Sequence, residues 1–598
     1  MLLDANNAWT WLLGCIILVA LFLAFSHTPC AKQKVPVFYS WIGATAAFGG
    51  ALAIILPVAL NSGFGPMDDG RVLRQLILYT TGGVLGVVTL GETHRKNNIE
   101  KEKNKNDHIR QVHAERRSRY TKAVEQLADE KATLRLGGIY TLISLIDEWI
   151  ADSNIPEFQK QKEGQVIVNS LCAYIRSPFP LARKRATLES FVSPKDYEGD
   201  FEKDRTTLRD EREIRRAFFE EISNHLKTIN KDFEFKIWNS FTLNLSGSDI
   251  FYPLNCTTFP KADFSYSNFY GYTNFAESTF NLEVDFSNSR FEEDSDFSNT
   301  HFKNDSQFSG STFVRQVKFI GAHFHKTSKF TLSKVEEMNN SIEWILQGPG
   351  GEARTNFVGD ADFSKSTFTG ESDFSGSRFT RKVNFSSATF TDATFREARF
   401  RGESLFRKST FNKKVSFYKS RFGDMADFLN AHFKKGVSFE KSEFGFSNEP
   451  NVNFKFDASY FGGNSEFDGC LFHGGAIFYG AKFTNITSFH KARFFNEVDF
   501  HNAKSTSQHN AKKDMTSDAK ILFSQASFRY PAIHDFEVAK DSPTLIDMGV
   551  VDFTLFDGTI VSRSIPVGSY LFELSPPDKE NKKDTNRGDY SEPAEDSE

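Results

Sequence analysis

Phenylalanine recurs along this chain at steps of five and six residues. From Phe264 the positions run 264, 269, 275, 280, 286, 291, 297, 302, 308, 313, 319, 324 and 330, alternating without a miss. A second block, Phe357 to Phe444, alternates the same way except at Phe390, Phe395 and Phe400, which are separated by fives; a third runs from Phe456 to Phe500. Together the blocks hold 39 of the 42 Phe between residues 264 and 500. A mean period of about 5.5 matches neither the 3.6 of a helix nor the 3.5 of a coiled coil, and Ser, Thr, Asn, Asp and Gly at this density oppose helix. The GGxGxD nonapeptides of a calcium-binding β-roll are absent. What remains is a solenoid whose every side is five or six residues long.

A second periodicity rides on the first. Two residues before each Phe the side chain is small or β-branched, as at Ser267, Ser289, Ser311, Ala388, Cys470 and Ala481, or Val284 and Val317. The eleven-residue unit, roughly F-S-x-S/A-x-F-x-x-x-S/V-x, resembles the Phe-bearing subclass of pentapeptide repeats. That resemblance implies a right-handed quadrilateral β-helix in which the central residue and the small residue two places earlier both point inward. The geometry agrees. Alternate residues of an extended segment share a side, and a five-residue side must turn before it can bury the next Phe. Four sides sum to 22 residues, so Phe264 is expected to stack on Phe286 and Phe308. The inward ladder includes Phe264, Phe269, Phe275, Phe280, Phe286, Phe291, Phe308, Phe313, Phe374, Phe379, Phe417, Phe422, Phe467, Phe472, Phe489 and Phe494. Thirty-nine sides make about ten coils, a rod on the order of 45 Å long.

The rod, expected over 233–530, is interrupted. The Phe lapse over 331–356, where the 27 residues from Phe330 to Phe357 allow either a degenerate coil or an ejected loop. Phe444 to Phe456 is six residues too long, a loop around Pro450, and 501–518 is a polar insertion. Residues 531–574 lose the period and are expected to cap the last coil, whose open edge would otherwise invite aggregation. The tail from 575 is disordered by composition.

The polar character of the chain (mean hydropathy −0.41, 25% charged residues) excludes a mostly membrane-embedded protein. Apolar runs are confined to the front, with spans expected at about 8–27, 35–60 and 72–91, each long enough to cross about 30 Å of hydrocarbon. Lys32 and Lys34 lie in the first loop and Asp68, Asp69 and Arg71 in or beside the second; residues 92–122 carry ten Lys or Arg against five Asp or Glu. With three crossings the positive-inside rule places the N-terminus outside and the repeat domain in the cytoplasm. Residues 93–135, free of Pro and Gly, read as one long helix. Amphipathic helices follow at 134–150 (apolar Leu136, Ile139, Tyr140, Ile143, Ile146), 165–177 (Val166, Val168, Leu171, Cys172, Ile175) and about 207–228, making a helical connector over 93–232. RYTKAVEQLADEKATLRLGGIYTLISL (119–145) followed by QVIVNSLCAYIR (165–176) resembles the connector of membrane-anchored bacterial pentapeptide-repeat-containing proteins. The resemblance implies a multi-pass plasma-membrane protein and assigns no activity.

No chemistry-bearing motif outweighs its plain reading. His323 and His325 share a strand side with no third ligand in sequence, and solvated histidines are the simpler account. Cys470 occupies a small inward slot, QGPGGEAR lacks the GK[ST] of a phosphate loop, and Glu292, Glu293, Asp294 and Asp296 sit on solvated corners. No catalytic residue, metal or cofactor is expected. The expected function is a membrane-tethered, non-enzymatic scaffold whose cytoplasmic rod binds a protein partner, with homo-oligomers allowed. One alternative is a DNA-mimicking binder of a type II topoisomerase, as some soluble pentapeptide-repeat proteins are. It is disfavoured because residues 251–500 hold 29 basic against 30 acidic residues. Another is a subunit of a membrane transport or sensing assembly. Nucleic acid is not an expected partner.

Overall fold

The computed structural model describes residues 5–26, 37–62, 69–190, 192–227, 237–252, 258–334, 352–446, 452–505, 519–542, 545–574 and 588–596. It divides into two units, Met1–Arg117 and Ser118–Glu598.

The first unit contains α1 (Ala5–Ser26), α2 (Val37–Ala59) and the start of α3 (Asp69–Leu127). All three are long and apolar enough to cross a membrane. α1 packs on α2 around Ala8, Ile55 and Ala59. The loop carrying Lys32 and Lys34, and Asp68 of the next, lie outside the described residues. The third apolar run and the charged stretch after it form one uninterrupted helix of 59 residues. Nothing breaks it, because the residues after Gly91 are chiefly Glu, Lys, Arg, Asn and His, and each added helical residue gains a hydrogen bond once the helix is nucleated. It stops at Leu127 instead of running to 135: the Asp129 carboxylate accepts from the Lys131 backbone N–H at 2.8 Å, and the chain reverses into α4. Gly138 permits that reversal, since a Cβ there would sit 2.9 Å from the carbonyl of Ala123.

In the second unit α4 (Ala132–Ala151), α5 (Glu157–Ile175) and α6 (Arg185–Leu188) precede α7 (Phe201–His225). α4 buries Ile139, Leu142, Ile143, Ile146, Trp149 and Ile150. Tyr140, expected on this stripe, is one position round the helix and half exposed, as is Val166 on α5. α7 begins earlier than expected because Asp200 caps the Lys203 N–H at 3.1 Å and Glu202 and Asp204 favour the positive helix end.

The rod is a parallel β-solenoid of four sides. Two-residue strands pair with the coil above and below, so Phe264 stacks on Phe286 at 5.1 Å and Phe286 on Phe308 at 5.1 Å, 22 positions apart each time. The column that starts at Phe264 continues through Phe330, Phe374, Phe395, Phe417, Phe439, Phe467 and Phe489 to Phe523, which makes eleven rungs. The count exceeds the expected ten because Phe523, in Ile521–Phe528, adds a rung after the polar insertion.

The interruptions resolve as departures from the 22-residue step. Phe313 pairs with Phe357 across 44 positions, so residues 332–353 are ejected as an insertion. Its stem is antiparallel, Leu332 opposite Arg354 and Lys334 opposite Glu352; the residues between, and most of QGPGGEAR, lie outside the described residues. The missing residue near Phe395 is absorbed where Phe368 faces Phe390 but Glu371 faces Asp392. Phe444 meets Phe472 after 28 positions, six more than a coil; Pro450 and most of that loop are outside the described residues. Thr487 meets Ile521 after 34, which locates the polar insertion between Ser505 and Ala519, also largely undescribed.

Both ends of the rod are covered. At the first coil, Gln165 of α5 bonds both the N–H and the carbonyl of Thr242, at 2.8 and 2.9 Å, and Arg176 donates to the Asn244 carbonyl at 2.6 Å. These contacts occupy an edge that would otherwise template another strand. Gly164 lets the Phe241 ring approach α5, where an added Cβ would come within 2.5 Å. At the last coil, Tyr570–Leu574 pairs with Ser527–Arg529, and the hairpin Met548–Thr554/Ile560–Pro566 follows the same end. Part of the tail expected to be disordered is ordered here: Gly588–Tyr590 pairs with Tyr570–Leu574, and Asp596 faces Gly549. Composition speaks only of side chains, whereas this segment is held by backbone hydrogen bonds to an open edge, such as Gly568 N–H to the Ala594 carbonyl at 2.9 Å. Residues 575–587 lie outside the described residues.

Candidate functional site

Each of the sixteen ladder Phe named from sequence is at most 2% exposed. Rings stack within a column and meet edge-on across the lumen; Phe319, for example, lies 4.7 Å from Phe297, 4.8 Å from Phe363 and perpendicular to Phe308. The small slots do more than make room. Ser267 donates its hydroxyl to the Leu245 carbonyl at 2.7 Å, Ser289 to that of Phe264 at 2.6 Å, and Ser311 to that of Phe308. These hydroxyls satisfy carbonyls at the corner turns, so a polar residue is tolerated in an apolar lumen. Cys470 takes the same role, its thiol donating to the Phe439 carbonyl at 2.9 Å; burial pushes that thiol well above its ordinary range, which suits a structural and unreactive group. Ala388 and Ala481 are fully buried in equivalent slots.

The five-residue sides end in tight turns. Phe264 accepts from Ser267 N–H, and the third turn residue, Tyr266, has φ of 58°. Asn288, Asn299, Gly310 and Gly321 repeat the geometry, which favours Gly and Asn. Asp263, Asp285 and Asp296 each accept from the backbone N–H two residues on, at 2.9, 2.7 and 2.8 Å. Much of the Asp between Phe is therefore turn chemistry.

Two inward positions escaped the sequence reading. Phe454 fills a small-residue slot two places before Phe456 and is fully buried, its ring edge-on to Phe444 at 5.3 Å. Gly474 leaves space for it, since a Cβ there would lie 2.9 Å from that ring. His534 takes the corresponding slot before Phe536 on the last rung, and burial pushes its imidazole down to about 4. The offset of two from the next Phe was the available signal in both cases.

With Phe and small residues inward, the other positions form outward columns. On the first side a groove of about 400 Å³ is lined by Lys261, Asp263, Glu283, Asp285, Asp305 and Lys329 among others, with Lys261 bridged to Glu283 at 3.1 Å. Burial, and then the neighbouring Asp263, hold the Asp285 carboxyl above its usual range. On another side His301 stacks on His323 at 4.7 Å with His325 at 6.0 Å, so the pair noted in sequence has a third imidazole beside it. Burial, and then His323, His325 and Lys303, lower the pKa of His301. Among the described residues the group whose ligand atoms converge within 4.8 Å is elsewhere: His501, Asp535 and Glu537, on the surface near the last rung. Glu292 pairs with Arg290 at 2.6 Å and Glu293 with Arg315 at 3.0 Å, so these carboxylates neutralise neighbours instead of forming an acid–base pair.

The model of the family "Pentapeptide repeats (9 copies)" matches residues 257–301, 286–333, 353–399, 395–443 and 456–504. The rod is built of pentapeptide repeats. The matched segments break where the structure places the ejected stem and the six-residue loop. Comparison with curated proteins and with solved structures returned no match.

Proposed function

We propose that this chain is a membrane-tethered, non-enzymatic scaffold whose pentapeptide-repeat rod binds a protein partner. The observation that carries the reading is the outward surface of the rod, on which side chains from successive coils align in register, as His301 with His323 and Arg378 with Arg399. Solenoids bind through extended surfaces of this kind. The three apolar helices supply the tether, and the charges around them, Lys32 and Lys34 against Asp68 and Asp69, favour an outside N-terminus and a cytoplasmic rod in a bacterial plasma membrane. In-membrane photo-crosslinking from the outward positions of the rod tests the scaffold. One protein captured reproducibly, and lost on deletion of the rod, is expected; reproducible absence of any adduct sinks the reading. Single-cysteine labelling tests the topology: a reagent confined to the outside is expected to modify position 68 and spare position 32.

A further inference from the structure

One side of the rod lines up arginines in successive coils. Arg378 faces Arg399, and Arg399 faces Arg421, in three successive rungs. Arg401 lies two residues past Arg399 on the same strand line, beyond the buried Phe400, so both point outward. Several cations on the rod find carboxylates across coils, as Lys382 with Glu403 at 3.1 Å, Lys413 with Asp392 at 2.8 Å and Arg407 with Asp427 at 2.6 Å. Arg378, Arg399 and Arg401 have no carboxylate partner among the described residues, and Arg421 shares Glu443 at 3.2 Å. Like charges aligned in adjacent strands are unfavourable. Burial, and then the neighbouring guanidinium groups, lower the pKa of Arg378 and Arg399 below the usual range. Lys482 also faces Lys504 in adjacent rungs, but here the like charges run through three successive rungs and all are guanidinium groups.

We propose that the column of Arg378, Arg399, Arg401 and Arg421 is a docking strip for an extended acidic peptide segment of the partner protein. The proposal rests on the scaffold reading and deepens it. Arg399 and Arg401 are separated by two strand residues, about 7 Å, while coils repeat at about 4.8 Å. An extended peptide laid along the rung presents alternate carboxylates at the same spacing of about 7 Å. Guanidinium groups pair with such carboxylates in bidentate fashion.

The test uses the full chain in detergent micelles and the fluorescence anisotropy of a labelled peptide of four Glu-Thr repeats. A Lys-Thr peptide and a single-stranded oligonucleotide of equal charge serve as comparisons. Wild type is expected to bind the Glu-Thr peptide at low salt and to bind it more tightly than the oligonucleotide. Arg399→Glu/Arg401→Glu is expected to weaken that binding at least tenfold. Arg399→Thr/Arg401→Thr, which places at both positions the residue found at Thr312 and Thr380 in nearby rungs, is expected to weaken it several-fold with the far-UV spectrum unchanged. Unchanged affinity in the Thr variant, no binding by wild type, or equal or tighter binding of the oligonucleotide overturns the proposal. Crosslinking separates it from the scaffold reading. A partner still captured by the Glu variant removes the strip and leaves the scaffold, whereas absence of any partner with wild type removes the scaffold itself.

Discussion

Phe319 shows what a single ring contributes to the rod. It stacks on Phe297 and Phe363 and meets Phe308 and Phe330 edge-on, so its loss opens a cavity touching three rungs. Phe319→Ala is expected to cost about 3–5 kcal/mol, read as a lowered urea midpoint of the far-UV signal; a shift under about 1 kcal/mol would show that neighbouring rings refill the space. Asp457 carries a pH signature. Burial, with the Asp427 and Asp499 carboxylates beside it, pushes its carboxyl up to about 6, against an ordinary 3.8. The folded state therefore holds the proton more tightly than the unfolded chain. The associated stability is present below about 4 and is lost as pH rises through 6. Asp457→Asn is expected to raise the melting temperature at pH 8 and to leave it unchanged near pH 4; an equal gain at both values would exclude ionisation as the cause.

At the scale of elements, the joint between the helices and the first coil is held by a buried charge. Arg215 of α7 is 1% exposed and pairs with Glu211 at 2.9 Å. It donates to the carbonyls of Ile175 at 2.7 Å, Ser177 at 3.1 Å and Asp249 at 3.2 Å, and so ties the end of α5 to the first strands of the rod. Glu211 also accepts from the Tyr174 hydroxyl at 2.9 Å and pairs with Arg135 at 3.3 Å. Removing Arg215 leaves Glu211 with Arg135 as its one cation among the described residues and withdraws the bonds to three carbonyls, so Arg215→Met is expected to destabilise by about 3–5 kcal/mol. Arg215→Met/Glu211→Leu is expected to recover part of that loss, and the double-mutant cycle measures the coupling. Additive effects would mean the pair is not coupled.

At the scale of the whole molecule, the rod tolerates insertions because each coil is completed by its neighbours and not by what lies between them. Excision of residues 332–353 leaves Phe330-Thr331-Arg354-Thr355-Asn356-Phe357, a regular five-residue side with the fully buried Thr355 in its small slot. Arg354 would fall at the turn position that has positive φ in other coils, so Gly is substituted there. The shortened chain is expected to fold with stability within about 1 kcal/mol of wild type, since closing a long loop adds little entropy cost. Loss of the cooperative unfolding transition would show that the insertion is part of the rod's structure.

The sequence by itself determined the lumen. Because every Phe lies five or six residues from the next and the small residue always precedes it by two, the inward set, the four sides and the 22-residue stacking are local consequences of strand alternation and turn length. The three apolar helices were legible for the same reason, as unbroken runs. What tertiary structure decided depends on pairing between distant residues. The 27 residues from Phe330 to Phe357 fit two registers equally, and only the partner coil chose the ejected stem. The helical cover of the first strand rests on Gln165 and Arg176 reaching the backbone of Thr242 and Asn244, a contact no periodicity announces. The ordered end of the tail owes its place to an open strand edge, and the arginines became a column only when residues about 21 positions apart were brought to adjacent rungs.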